Sequence, residues 1–348
     1  MTFAGEVKNA VTVRAALLVV GVLALQLLFI ASYVGALHRP DATDVPFGVV
    51  APRQTSQQLV TRLDDLPGGP LDPRAVSDAA EAQKKVMNRD LDGVLIVDPQ
   101  GTTDTLLVAS GGGTVLANTL VKIIERAEAP QHRTVQTVDV APASPDDFNG
   151  LSSFYLVVGW CVGGYLCASI LAISAGAKPA NRQRALIRTG VMALYSIAGG
   201  IGGAIVIGPI LGALPGSLWG LAGLGALIVF AVGMITLALE ALTGIVGIGL
   251  AVLIIVVAGN PSAGGAFPLP MLPEFWRAIG PALPPGAGTW TARSIAYFRG
   301  NAVTGPLLVL SAWAVVGTAL TLLLSLRRGP DGEGPWAATA VDTSEPLR

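Results

Sequence analysis

Asn260–Asn301 reads NPSAGGAFPLPMLPEFWRAIGPALPPGAGTWTARSIAYFRGN and lies between two apolar runs, Thr243–Ala258 and Ala302–Leu326. Its seven prolines and its glycines rule out a single helix across it. Yet it is no polar linker. Phe267, Phe275, Trp276, Trp290, Tyr297 and Phe298 are spread along it, with Arg277, Arg293 and Arg299 among them. Rings with apolar bodies and polar tips, mixed with arginine, suit the headgroup layer of a bilayer. Pro273 can open a short helix with Phe275, Trp276 and Ile279 on one side. Trp290, Ser294, Tyr297 and Phe298 fall at helical spacing on a second. The stretch reads as two short helices lying in or dipping into one membrane face; an ordinary proline-rich extramembrane loop is the alternative. Pro261 disfavours helical geometry at Asn260, so the preceding helix is expected to end there. Gly264 and Gly265 permit a tight reversal. Backbone groups of the broken pieces cannot stay unpaired in lipid, so the pieces sit at the interface or are buried in protein. Trp276 and Trp290, as ring anchors, favour the interface.

Working outward, the composition agrees with a membrane setting. The 348 residues are 52% hydrophobic and 13% charged, with mean hydropathy +0.62. A soluble domain carries about 25% charged residues. The net charge of −1 and the lack of a basic tract give no sign of nucleic-acid binding. Arginine exceeds lysine, and alanine and glycine abound, an association with GC-rich bacterial genomes.

Six apolar runs divide the chain: Ala15–Leu37, Leu151–Ala175, Leu186–Ile207, Leu218–Leu239, Thr243–Ala258 and Ala302–Leu326. A spanning helix needs about 20 residues. Thr243–Ala258 is short, so it begins earlier, thins the bilayer or is partly re-entrant. Ala15–Leu37 competes with a signal peptide, because Val34-Gly-Ala36 resembles a cleavage site; its length favours an uncleaved helix. Gly159–Gly163 and Gly199–Gly203 are GxxxG pairs that let helices pack closely. The fold class expected is an α-helical polytopic membrane protein with six transmembrane helices and one α/β domain between helices 1 and 2.

That domain is His38–Gly150. It has sixteen Asp/Glu and ten Lys/Arg, a local charge of 10 − 16 = −6. Strands are expected at Phe47–Val50, Gly93–Val97, Asp104–Ala109 and Thr134–Val140, and helices at Gln54–Leu63, Val76–Asn88 and Thr114–Glu128. Ser110–Thr114 is Gly-rich but lacks the Lys-Ser/Thr of a phosphate loop. Without cysteine the domain folds with no disulfide. Cys161 and Cys167 sit in an apolar run, six residues apart and facing different ways. His38 and His132 have no companions at ligand spacing, so no metal site is assigned.

Charge sets orientation. Lys178, Arg182, Arg184 and Arg188 follow the second run, Arg327 and Arg328 follow the last, and Lys8 and Arg14 precede the first. With six helices all three groups share one side, which the positive-inside rule makes cytoplasmic. Met1–Arg14 and the polar, disorder-prone tail Gly329–Arg348 are then cytoplasmic too. The α/β domain and Asn260–Asn301 are outside. The three arginines and one acid of Asn260–Asn301 mildly oppose that placement.

Asn260-Pro-Ser-Ala-Gly-Gly265, Leu272-Pro-Glu-Phe275, Leu283-Pro-Pro-Gly286 and Tyr297-Phe-Arg-Gly300 resemble the segment before the last membrane helix of ABC-2-type permeases, in the branch that includes the YhgE/Pip-like membrane proteins. The order of elements in the polar domain resembles the extracytoplasmic domain between the first two helices of these permeases. The resemblance implies an exporter permease in the cytoplasmic membrane, working as a homodimer or with a related permease. ATP would be bound by a separate ATPase subunit, since this chain has no Walker motif and no cofactor of its own. The Ala177–Arg188 loop would then carry a coupling helix for that ATPase, with Lys178, Arg182, Arg184 and Arg188 as contact residues. The same loop also serves as a plain topology determinant. YhgE/Pip-like proteins include members tied to secretion or phage adsorption, so a scaffold or receptor without an ATPase is the second reading.

Asn260, Pro261, Gly264, Gly265, Trp276 and Trp290 are the candidate external gate or interfacial segment. Glu240 is the one acid within the Leu218–Ala258 apolar block. Held in lipid it would be a proton- or substrate-handling group; a hydrated place at the turn of two helices, made by Ala241–Gly244, is the favoured expectation. No nucleophile, base and orienting group fall together, so catalysis is not expected.

Overall fold

The computed structural model describes residues 12–177 and 181–326, the Arg14 side chain excepted. Lys8, Lys178, Arg327 and Arg328 lie outside the described residues. The chain begins with helix α1, Val13–Leu37, and enters an α/β domain: β1 Val45–Val50, α2 Arg53–Asp64, β2 Leu71–Ala75, α3 Ala79–Met87, β3 Gly93–Ile96, β4 Thr103–Val108, α4 Thr114–Glu128 and β5 Thr134–Asp139. The sheet order is β2-β1-β3-β4-β5, and only β3 and β4 pair antiparallel.

Alternation places neighbouring side chains on opposite faces of the sheet. Phe47, Leu95 and Leu106 pack with Leu63 of α2 and Leu120 and Ile124 of α4. Val94 and Leu107 pack on the other face with Ala82 and Val86 of α3. Helices on both faces make the inner strands apolar on both sides, as parallel strands generally are. β2 lies beyond the strands expected from sequence. Its residues, LDPRA, hold a proline and two charges; the strand forms because it sits at the edge, paired only with β1. At the other end, Asp104 is fully buried and takes two hydrogen bonds from Arg133, at 2.7 and 2.6 Å. Arg133 also donates to the Asp98 carbonyl, tying β5 to the β3–β4 loop.

The rest is helical: α5 Ser152–Ala175, α6 Arg182–Ile205, α7 Leu218–Thr243, α8 Val246–Val252, α9 Glu274–Ile279, α10 Pro284–Tyr297 and α11 Thr304–Leu326. Among the described residues five helices are long and apolar enough to cross a membrane: α1, α5, α6 with its extension to Ile210, α7 and α11. The chain is a helical membrane protein with a small sheet-containing domain. The run expected as a short sixth span forms α8 and then seven residues of π-helix, Leu253–Gly259.

α7 is the centre of the bundle. Its apolar window is 78% buried, against 22% for α11 and 6% for α1. Among the described residues four helices reach its backbone through a glycine; a Cβ on Gly247 of α8 would lie 2.4 Å from the Glu240 nitrogen. A Cβ on Gly164 of α5 would lie 2.8 Å from the Val229 carbonyl, one on Gly200 of α6 2.4 Å from that of Ala222, and one on Gly317 of α11 2.6 Å from the Ile235 nitrogen. Gly164 and Gly200 are thus each one position past an expected GxxxG member, while Gly317 belongs to neither pair. Gly203 makes room for the Trp160 ring, and Gly159 faces open space.

Pro261 does not end the helix as expected. Asn260 stays in the right-handed helical region, at φ −67 and ψ −47. The turns before it widen into a π-helix, and the chain reverses later, at Gly264 with φ +70. Pro209 lies inside a second π-helical stretch, Val206–Ile210. Widened turns of this kind absorb the hydrogen bond that proline cannot donate.

Candidate functional site

Asn260–Asn301 is sandwiched between the helical bundle and the α/β domain. Nearly all of α10 is buried, including Arg293, Ser294 and Tyr297. Pro284 and Pro285 open it, their missing N–H groups costing nothing in a first turn. Its close packing needs bare backbone. A Cβ on Gly286 would stand 2.1 Å from the Gly280 carbonyl, and one on Gly265 2.3 Å from the Phe154 ring.

Arg293 locks the junction. Its Nη1 donates to the carbonyls of Gly112 and Gly264 at 3.0 and 2.7 Å, and its Nη2 to those of Gly150 and Gly265 at 3.0 and 2.8 Å. One side chain therefore ties α10 to the domain, to the entry of α5 and to the Gly264 reversal. Burial pushes its guanidinium down to about 10 while the Asp147 carboxylate holds it up. Asp147 accepts from the Tyr297 hydroxyl at 2.7 Å and from the Ser152 backbone N–H at 2.7 Å. The Gly111–Gly113 stretch, unsuited to phosphate, meets this same surface. A Cβ on Gly111 would strike the Tyr297 ring at 2.5 Å, and one on Gly113 would strike Pro268 at 2.3 Å.

A cavity of about 520 Å³ lies at the junction. The domain contributes Pro46, Arg89, Asp92 and Gly112 to its walls; the far side comes from residues between Ala263 and Pro306, among them Trp290. The volume falls within the roughly 300–1,000 Å³ of small-molecule sites. Arg89 follows α3 in the left-handed region, φ +62, a position that usually goes to glycine. From there its guanidinium stacks 3.4 Å from the Trp290 ring centroid, and Nη1 donates to the Trp290 carbonyl and Ser294 Oγ, both at 2.9 Å. Burial and the nearby Arg293 charge push Arg89 down to about 9. Asp92 opens onto the same space, and burial raises its carboxyl to about 6 against the pull of Arg89.

The expected anchors divide. Trp290 is drawn to Arg89, and its indole N–H donates to the Ala302 carbonyl at 2.9 Å. Trp276 is half-buried on α9 beside Phe275, which is 63% exposed. α9 is fastened to the domain by Arg277, which donates to the Thr43 carbonyl at 3.0 Å. Asn260 and Pro261 are buried, and Asn260 donates to the Tyr33 hydroxyl at 3.1 Å.

Far from this junction, Arg182 and Arg184 are exposed at the start of α6, where Asn181 accepts the Arg184 backbone N–H. Arg188 does not stand with them. It is 6% exposed, and its Nη2 donates to the Ala175 and Gly176 carbonyls at 2.8 and 2.6 Å, capping the end of α5. Glu240 also departs from expectation. α7 runs on through Thr243 and turns at Gly244, so Glu240 is fully buried within the chain, and neither carboxylate oxygen has a protein hydrogen-bond partner. Among the described residues no cluster of His, Cys, Asp and Glu could hold a metal ion.

Arg89, Asp92 and Arg293 are not among the site residues expected from sequence. The signals the sequence holds are an arginine where a helix normally ends on glycine, and another inside a helix of small residues. No family model, curated protein or solved structure matches this chain.

Proposed function

We propose that this chain is the permease subunit of an ABC-2-type exporter, moving an unidentified substrate outward with a separate ATPase subunit. The observation that carries this reading is the Arg293 tie between the broken segment ahead of the last span and the domain that follows the first. A domain held to the mouth of the bundle is placed to gate release. The proposed layout has six crossings in the cytoplasmic membrane with both termini inside. α7 starts beside Ile295 at the junction and runs 26 residues away from it, a rise of about 39 Å. The chain is back under Pro285 by Gly259, so α8 and its π-helical extension supply the return crossing. Fourteen helical residues rise about 21 Å, short of the roughly 30 Å hydrocarbon core. The dip of Asn260–Asn301 into the bundle end makes up the difference.

At the inner end, Arg182 and Arg184 form the coupling contact. Reversing both (Arg182→Glu with Arg184→Glu) should abolish capture of the ATPase, because like charges at close range oppose an acidic groove. Membrane insertion should be unchanged. Undiminished capture would remove these residues from the contact. Lost insertion would leave the loop as a topology determinant only. A scaffold or receptor of the YhgE/Pip-like kind is the second reading, favoured by the way α7 fills the bundle centre.

A further inference from the structure

The geometry points to a lipid-binding site in the junction cavity, one that takes a zwitterionic amphiphile with an ammonium-phosphate headgroup, such as phosphatidylethanolamine. Most of the cavity wall is apolar, supplied by Pro268, Leu269, Pro281 and Pro306 among others. Its charged end is different in kind. Arg89 spends Nη1 on Trp290 and Ser294, which leaves Nε and Nη2 with donors to spare. Asp92 faces the same space with neither side-chain oxygen hydrogen-bonded, and no ion pair joins it to Arg89. Both side chains are half-buried on the cavity wall, a donor and an acceptor held apart with hydrogen-bonding capacity to spare, and a ligand that spans them answers both.

A purely anionic headgroup would satisfy Arg89 and set an anion against Asp92. A purely cationic one would do the reverse. A phosphate carrying a tethered ammonium answers both at once. Arg293 does not compete for the phosphate, since four carbonyls occupy its terminal nitrogens. The opening turn of α11, Thr304 to Pro306, forms part of the wall. Acyl chains leaving past it run alongside a membrane-spanning helix. This inference goes beyond the permease reading and shares no residue with its test, so failed capture of an ATPase would leave it standing.

The test uses the full chain, purified in detergent and stripped of lipid. It is offered phosphatidylethanolamine and phosphatidylglycerol with identical acyl chains, and retained lipid is counted by native mass spectrometry. The native protein should prefer the ethanolamine lipid about tenfold, the worth of one charge-assisted contact. Asp92→Asn should erase the preference, while Asp92→Glu, which keeps the charge, should retain it. Equal retention of the two lipids by the native protein would overturn the proposal, as would a preference that survives Asp92→Asn. Glycerophosphoethanolamine, the same headgroup without chains, separates a lipid from a soluble ligand. Displacement of the lipid by it at equal concentration would overturn the amphiphile assignment.

Discussion

Asp92 has a measurable thermodynamic signature. Its carboxyl sits at about 6, above the roughly 3.9 of a free aspartate, because burial penalises the charge. A raised carboxyl means that the folded chain holds the proton more tightly. Its contribution to stability is therefore full below about pH 4 and is lost as pH rises towards 6. Arg89 and Arg293, the cations nearby, stay charged throughout this window. In lipid-free protein the melting midpoint of Asp92→Asn should gain on that of the native chain between pH 4 and 7 by a few degrees. Two parallel pH profiles would contradict the assignment. Little of this chemistry was legible in the sequence. Arg89 and Arg293 meet through residues some 200 positions apart, and no local pattern reports such a meeting. Arg188 shows the converse: it belongs to the basic loop in sequence, but its side chain turns back to cap α5.

At the level of elements, apolar length carried the reading well, since it alone separates a spanning helix from a soluble one. The strands of the domain followed from alternation and β-branching, except edge strand β2, which gains its order from a neighbour. Helix–helix contact was legible as glycine spacing but not as residue choice. Which glycine meets a partner depends on helix rotation, set by the whole bundle. The distinction is testable. Gly200→Ala should lower stability by about 1–3 kcal/mol, the usual cost of overpacking, because its Cβ would lie 2.4 Å from the α7 backbone. Gly159→Ala meets nothing within 4 Å and should be neutral. Thermal unfolding followed by size-exclusion in detergent checks both. Equal losses at the two positions would contradict the packing around α7.

On the scale of the whole molecule, the central claim is one of sides. The α/β domain and Asn260–Asn301 meet through Arg293, and the proposed layout puts both on one face with the start of α6 on the other. What charge could not reveal is how the domain grips the segment, through Arg293 and Arg277. Asp98, Phe275 and Gln183 are exposed and suit use as reporters of side. The most direct measurement places a single cysteine at each of these three positions, in a chain lacking Cys161 and Cys167, and exposes intact cells with any outer barrier opened to a membrane-impermeant thiol reagent. Asp98→Cys and Phe275→Cys should be labelled, and Gln183→Cys only after permeabilisation. Labelling of Gln183→Cys on intact cells with the other two protected would reverse the orientation. Labelling that separates Phe275→Cys from Asp98→Cys would contradict the shared face itself.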